Sequence, residues 1–289
     1  MPAVKIKYTI MTRYISNFLC ACWLVLKTLL LTYAVVFSVV GTIALIYGYI
    51  VLTKPIRDIV YLVDHNPSET AYMKEYRATL RARGRPVVLQ QRFVPLDSIS
   101  KFLQNTVIAA EDDGFYSHPG IDIEAILKAA EYNKDRNKIV RGASTITQQL
   151  AKNMFLDKDK NLVRKIKELG YTLLMEKYLS KDRILELYLN YAQWGDTVFG
   201  CEAACQYYYK KSCTRLSMSE ASRLAATLAM PSRVSPLFAN SVFIQKRVEV
   251  IANNLYRRHL IDDSGYSSVS GLPPPKNAFA DTIIYSIPH

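Results

Sequence analysis

From Leu29 to Leu52 the chain carries no charge, and apolar residues dominate from about Phe18, interrupted only by Lys27. At ~1.5 Å rise per residue, a helix over 29–52 is long enough for the ~30 Å apolar core of a bilayer. No second run of that length follows. A cleaved signal would have a shorter apolar stretch and a small-residue cleavage site, and neither occurs before Lys54. The pattern therefore predicts one uncleaved anchor at 29–52, with residues 1–28 before it. Beyond it the period changes. Ile99, Phe102, Leu103, Thr106, Val107 and Ala110 recur at helical spacing from Leu96 onward, with Asp97 or Ser98 as N-cap. Leu162, Ile166, Leu169 and Leu173 make a second stripe, and Ile184, Leu187 and Tyr188 a third after Ser180. Ser217 and Glu220 spell a capping box before a helix over Ala221–Met230, which Pro231 ends. Val87–Phe93 reads as a short strand. The expected domain plan is a membrane-proximal stalk at 53–95, a mainly α domain at 96–260 and an irregular tail at 261–289, where Pro273–Pro275 fall.

Charge orients the anchor. Lys5, Lys7, Arg13 and Lys27 precede it without an acidic residue, whereas Lys54 and Arg57 are offset by Asp58, Asp64 and Glu69 after it. Basic residues stay on the cytoplasmic side, so the N-terminus is expected inside and the rest outside the cytoplasmic membrane. The net charge of +12 fits an anionic membrane surface or an anionic substrate. Without zinc-finger spacing or a basic heptad region, nucleic acid is not expected as a partner. Arg77, Arg81, Arg83 and Arg85 read equally as a solvated surface or a headgroup contact. The five cysteines contain no CxxC pair. Cys201, Cys205 and Cys213 leave at least one thiol free, with Cys201–Cys205 and Cys205–Cys213 as alternative disulfides.

Three clusters carry candidate chemistry. In the first, 111–120, Glu111 continues the 103, 107, 111 row of a helix. A carboxylate there meets apolar surroundings instead of open water, a setting that suits a general base. His118 reads as a loop-packing residue or as a competing base. In the second, 142–153, Ser144, Thr145, Gln148, Gln149 and Asn153 offer hydroxyls and amides for sugar or phosphate oxygens, and Lys152 adds a cation. The plainer reading is an N-cap opening a helix. In the third, 164–168, Arg164 and Lys165 stand four and three residues before Glu168, with Lys167 beside it, either as a surface ion pair or as a carboxylate beside phosphate-binding cations.

Their order strongly resembles the glycosyltransferase 51 family, which contains the peptidoglycan glycosyltransferases. E-D-x-x-F-x-x-H-x-G is met at Glu111, Asp112, Phe115, His118 and Gly120; G-x-S-T-I-T-Q-Q-x-x-K-N from Gly142 to Asn153; R-K-x-x-E at Arg164, Lys165 and Glu168; and K-x-x-I-L-x-x-Y-x-N from Lys181 to Asn190. The likeness runs roughly from Phe93 to Leu255. Ser98-Ile99-Ser100-Lys101 spells S-x-x-K, but no K-T-G exists, so no transpeptidase module is expected and the chain resembles a monofunctional, biosynthetic transglycosylase. Lys160 stands where the family often has Arg.

The resemblance implies a mainly α, lysozyme-like domain with a membrane-apposed apolar lobe behind the anchor. It implies that lipid II adds to a lipid-linked glycan with inversion, and that undecaprenyl diphosphate leaves. Glu111 would be the base. Lys152, Lys160, Arg164, Lys165 and Lys167 would neutralise the pyrophosphate, and Glu168 would orient these cations or hold a metal. No tightly bound cofactor is implied, although family members are often stimulated by Mg2+ or Mn2+. Membrane lipids and cell-division or elongation proteins are the implied partners. A lysozyme-like hydrolase and a non-catalytic scaffold are the rival readings.

Overall fold

The computed structural model describes residues 2–135, 142–157, 161–238 and 241–275. It falls into two compact units, 1–57 and 58–289.

The first unit belongs to one long helix, α1 (Pro2–Tyr61), which continues into the second. Among the described residues it is the one helix long and apolar enough to cross a bilayer. Its large apolar side chains from Phe18 to Ile50 are exposed all round, an arrangement that water does not tolerate and lipid does. The hydroxyls of Thr28, Thr32, Ser38 and Thr42 turn back onto carbonyls three or four residues earlier, which satisfies them within the helix.

The second unit is helical: α2 (Ala71–Ala82), α3 (Lys101–Glu111), α4 (Ile123–Asp135), α5 (Ile146–Phe155), α6 (Leu162–Tyr178), α7 (Lys181–Tyr191), α8 (Cys201–Tyr209), α9 (Met218–Ala226), α10 (Val242–Arg257) and α11 (Asp263–Ser270). A two-stranded parallel ribbon pairs β1 (Gln90–Gln91) with β2 (Val198–Phe199), within the expected strand region 87–93. α7 lies deepest, with Ile184, Leu187, Tyr188 and Tyr191 essentially inaccessible. α5 packs on α2, α6 and α7, while α3 packs on α9 and α10.

Residues 53–95 are not a free stalk. From Asp58 they belong to the second unit, where Ile59, Leu62, Met73 and Leu80 are buried. Tyr72 donates to Gln193 Oε1 at 2.8 Å and Tyr76 to Asp196 Oδ1 at 2.6 Å. Polar residues interspersed in this segment concealed its apolar face. Two of its arginines are engaged, Arg77 with Glu69 and Arg85 with Asp196. The tail also begins later than expected, because Ile261, Tyr266 and Val269 are buried around α11.

Helix boundaries shift for local reasons. Leu96–Ser98 form a 3-10 turn, so Ser100 caps α3, its hydroxyl accepting from Leu103 N at 3.2 Å. The Ser217–Glu220 capping box is present, but α9 ends at Ala226 and a 3-10 turn over Thr227–Ala229 follows. α6 presents the opposite face from the one its apolar stripe suggests. Leu162, Ile166, Leu169 and Leu173 are exposed, and the buried positions are Glu168, Thr172 and Met175. α4 likewise exposes Ile123, Ile126 and Leu127.

Cys205 pairs with Cys213 across a Cα–Cα distance of 5.5 Å, and Cys201 is a buried free thiol. Glu202 reinforces the same corner by accepting from Cys213 N at 2.9 Å.

Candidate active site

Glu111 is the last residue of α3, and its side chain is 6% exposed at the wall of a cleft of about 480 Å³. Gln149, Lys152 and Ser144 line the same cleft from α5 and the segment before it, and Arg247 from α10. The surroundings of Glu111 are not apolar, as its helical row suggested. Arg247 Nη2 donates to Oε1 at 2.8 Å and Gln149 Nε2 to Oε2 at 3.0 Å. A buried carboxylate needs such donors, and both come from distant segments. Arg247 was missed by sequence reasoning; its signal was a cation interrupting the apolar face formed by Ile244, Val248 and Ile251.

The rest of the first cluster is scaffolding. Asp112 Oδ2 accepts from Ile146 N at 2.9 Å, which ties the end of α3 to the start of α5. His118 Nε2 lies 2.8 Å from Asp112 Oδ1, and its Nδ1 accepts from Gly120 N at 3.1 Å. Gly120 has φ +87°, and a Cβ there would come within 2.6 Å of Glu176 Cγ, so glycine is required on both grounds.

The hydroxyl and amide run divides between structure and cleft. Thr145 and Gln148 form a reciprocal capping box on α5, and both are buried. The Thr145 hydroxyl also donates to Gly120 O at 2.7 Å. The Thr145 hydroxyl and Gln148 Oε1 are thereby engaged by protein. Gln149 holds Glu111, Ser144 is an exposed part of the cleft lining, and Asn153 is half-buried.

In the third cluster Glu168 is 3% exposed and receives Arg164 Nη1 at 3.1 Å and Lys165 Nζ at 2.5 Å. Lys167 is exposed, and Lys160 lies outside the described residues. Lys152 feels the charges of Glu168, Arg164, Lys165 and Glu111. Desolvation by the cleft walls is the main cause that lowers its pKa; the attraction of Glu168 and Glu111 opposes it. Lys152 nevertheless retains substantial contact with solvent, so the effect is limited.

These residues do not fit a divalent cation well. Asp112, His118 and Asp122 come close enough to share one, yet both oxygens of Asp112 and both nitrogens of His118 are already hydrogen-bonded. Glu168 has two cations on its oxygens.

The transglycosylase family model matches residues 79–256, more than half of the chain. The chain belongs to the transglycosylase family. Among curated relatives, the biosynthetic peptidoglycan transglycosylase of Thiobacillus denitrificans is 43% identical over 194 residues, covering 65% of this chain and 84% of the relative. That of Nitrosospira multiformis is 43% identical over 197 residues, covering 68% and 85%. That of Cupriavidus metallidurans is 48% identical over 169 residues, covering 57% and 72%. This transglycosylase is therefore a glycosyltransferase of peptidoglycan synthesis, and the match covers that module alone. Its mainly α architecture is the one the resemblance implied.

Proposed function

We propose that the enzyme polymerises lipid II into β-1,4-linked glycan strands. The acceptor GlcNAc 4-hydroxyl attacks the donor MurNAc anomeric carbon. Glu111 takes the hydroxyl proton, the new oxygen–carbon bond forms, and the bond to the pyrophosphate breaks with inversion. The electron pair leaves with undecaprenyl diphosphate. A pyrophosphate leaving group needs charge neutralisation more than a proton. Lys152 supplies a cation, Arg164 and Lys165 add others, and Glu168 orients them.

The observation that carries this reading is the placement of Glu111 and Lys152 on one cleft; the charges of Glu168, Arg164 and Lys165 also reach Lys152. A lysozyme-like hydrolase would need two carboxylates but no such cations. Feeding purified lipid II to the full chain and separating products by length tests both. Long glycan from the wild type and a loss of ~10²–10⁴-fold in Glu111→Gln support the reading. Shortened strands from pre-formed glycan, or an active Glu111→Gln, would overturn it.

The topology we propose is single-pass with the N-terminus in the cytoplasm. The basic residues before the anchor support it, and so does a disulfide in the catalytic unit, since such bonds persist in oxidising compartments. The exposed apolar faces of α4 and α6 suit contact with lipid. A reporter fused after His289 should be active only outside the cytoplasm.

A further inference from the structure

The last carbonyls of a helix lack partners within it, and α3 ends at Glu111. α10 supplies them. Arg247 Nη2 donates to Ala110 O at 3.3 Å as well as to Glu111, and Asn254 Nδ2 donates to Ala109 O at 2.8 Å. Arg258 Nη1 donates to Asp113 O at 2.9 Å. Positions 247 and 254 are seven residues apart and share one face of α10, and Arg258 follows as its C-cap, so this side of α10 seats the end that carries Glu111. Gln149 approaches the other carboxylate oxygen. An amide can offer either its nitrogen or its oxygen, and the Tyr188 hydroxyl decides which. It donates to Gln149 Oε1 at 3.1 Å, which turns the amide nitrogen to Glu111. Burial pushes the Tyr188 phenol well above its ordinary pKa, so it remains a neutral donor.

We infer that Tyr188, Gln149 and Arg247 are one set of positioning residues that locks the Glu111 carboxylate from both sides and selects Oε2 as the proton acceptor. Oε1 carries a guanidinium and Oε2 a neutral amide, so Oε2 retains the greater basicity. The acceptor hydroxyl proton passes to Oε2, while the oxygen lone pair forms the bond to the anomeric carbon. This rests on the reading of Glu111 as the base. It moves Gln149 from substrate contact to positioning, and it gives roles to Tyr188 and Arg247 that sequence reasoning had not assigned. Among the described residues, the charged or titratable groups that act on Glu111 include Arg247 from α10, Lys152 from α5 and Tyr188 from α7, with Asp112 next in the chain.

The test measures kcat, KM and the pH–rate profile of lipid II polymerisation for the full chain, with melting temperature on each preparation. Tyr188→Phe should fold, keep its KM and lose about tenfold or more in kcat, since small misplacements of a reacting group cost up to ~10²-fold. Arg247→Gln should lose kcat and move its acidic limb upward, because the guanidinium on Oε1 has gone. Arg247→Lys should restore the limb but only part of kcat, which a merely structural arginine would not do. If Arg247→Gln fails to fold, Tyr188→Phe and Arg247→Lys still decide. Wild-type kcat and pH profiles in folded Tyr188→Phe and Arg247→Lys, beside an inactive Glu111→Gln, would overturn the inference. An active Glu111→Gln would instead overturn the assignment of the base.

Discussion

His118 Nε2 sits 2.8 Å from Asp112 Oδ1, and the Gly120 N–H donates to its other nitrogen. That second bond puts the ring proton on Nε2, so a neutral His118 donates to Asp112 and has no lone pair left for a substrate hydroxyl. The competing base of the first motif is thereby assigned to the scaffold. His118→Phe should leave buried polar groups unpaired and cost about 1–3 kcal/mol of stability. Turnover per folded molecule should be largely retained. Denaturant unfolding and lipid II turnover on one preparation check this, and a stable but inactive variant would return His118 to the chemistry.

Glu168→Gln keeps the shape of a buried side chain but removes the counter-charge of Arg164 and Lys165. If the cluster serves the pyrophosphate, the variant should melt near the wild type and lose about 10²-fold in turnover, the scale of one lost transition-state contact. Intact activity would reduce Glu168 to an intrahelical ion-pair partner.

The pKa of Lys152 is lowered, mainly by desolvation, so the charge needed at the pyrophosphate is lost below the ordinary lysine range. Polymerisation should therefore fall earlier on the alkaline side than an ordinary lysine would allow. Lys152→Arg should move that limb up, at some cost in kcat from altered reach. The sign for stability is the reverse of an ion pair. A lowered folded pKa opposes folding fully below that value, and the effect disappears as pH rises through the ordinary lysine pKa. An unchanged alkaline limb in Lys152→Arg would remove Lys152 as its source.

The Cys205–Cys213 bridge closes a short loop, with a sequence separation of 8. Loop-closure entropy puts its worth at about 2–3 kcal/mol, so reduction or Cys213→Ser should lower the melting temperature. Glu202 remains hydrogen-bonded to the same loop, and the fold should persist. Unchanged melting under reductant would mean that the bridge adds nothing.

Much of the site was legible because its parts are local. Thr145 and Gln148 cap α5 through atoms three residues apart, and Glu168 meets Arg164 and Lys165 within one helical turn. Spacing alone encodes such contacts. The α6 stripe misled because periodicity reports that one face is apolar, not what covers it. Leu162, Ile166 and Leu169 are exposed, while Glu168 turns inward. The segment 53–95 and α11 were undervalued because short helices with mixed polarity show weak periodicity, although Met73, Leu80 and Tyr266 are buried.

By itself the sequence determined the apolar N-terminal helix, the helical class, the ordered motifs and which carboxylates and cations are candidates for the site. These follow from composition and from spacings shorter than two helical turns. Only the tertiary structure decided what each group touches. Arg247 reaches Glu111 across 136 positions, Tyr188 reaches Gln149 across 39, and Asp112 reaches Ile146 across 34. No local rule relates residues so far apart. Packing α3 on α10 and α5 on α7 brings these polar groups together, and burial leaves them little water to bond with instead.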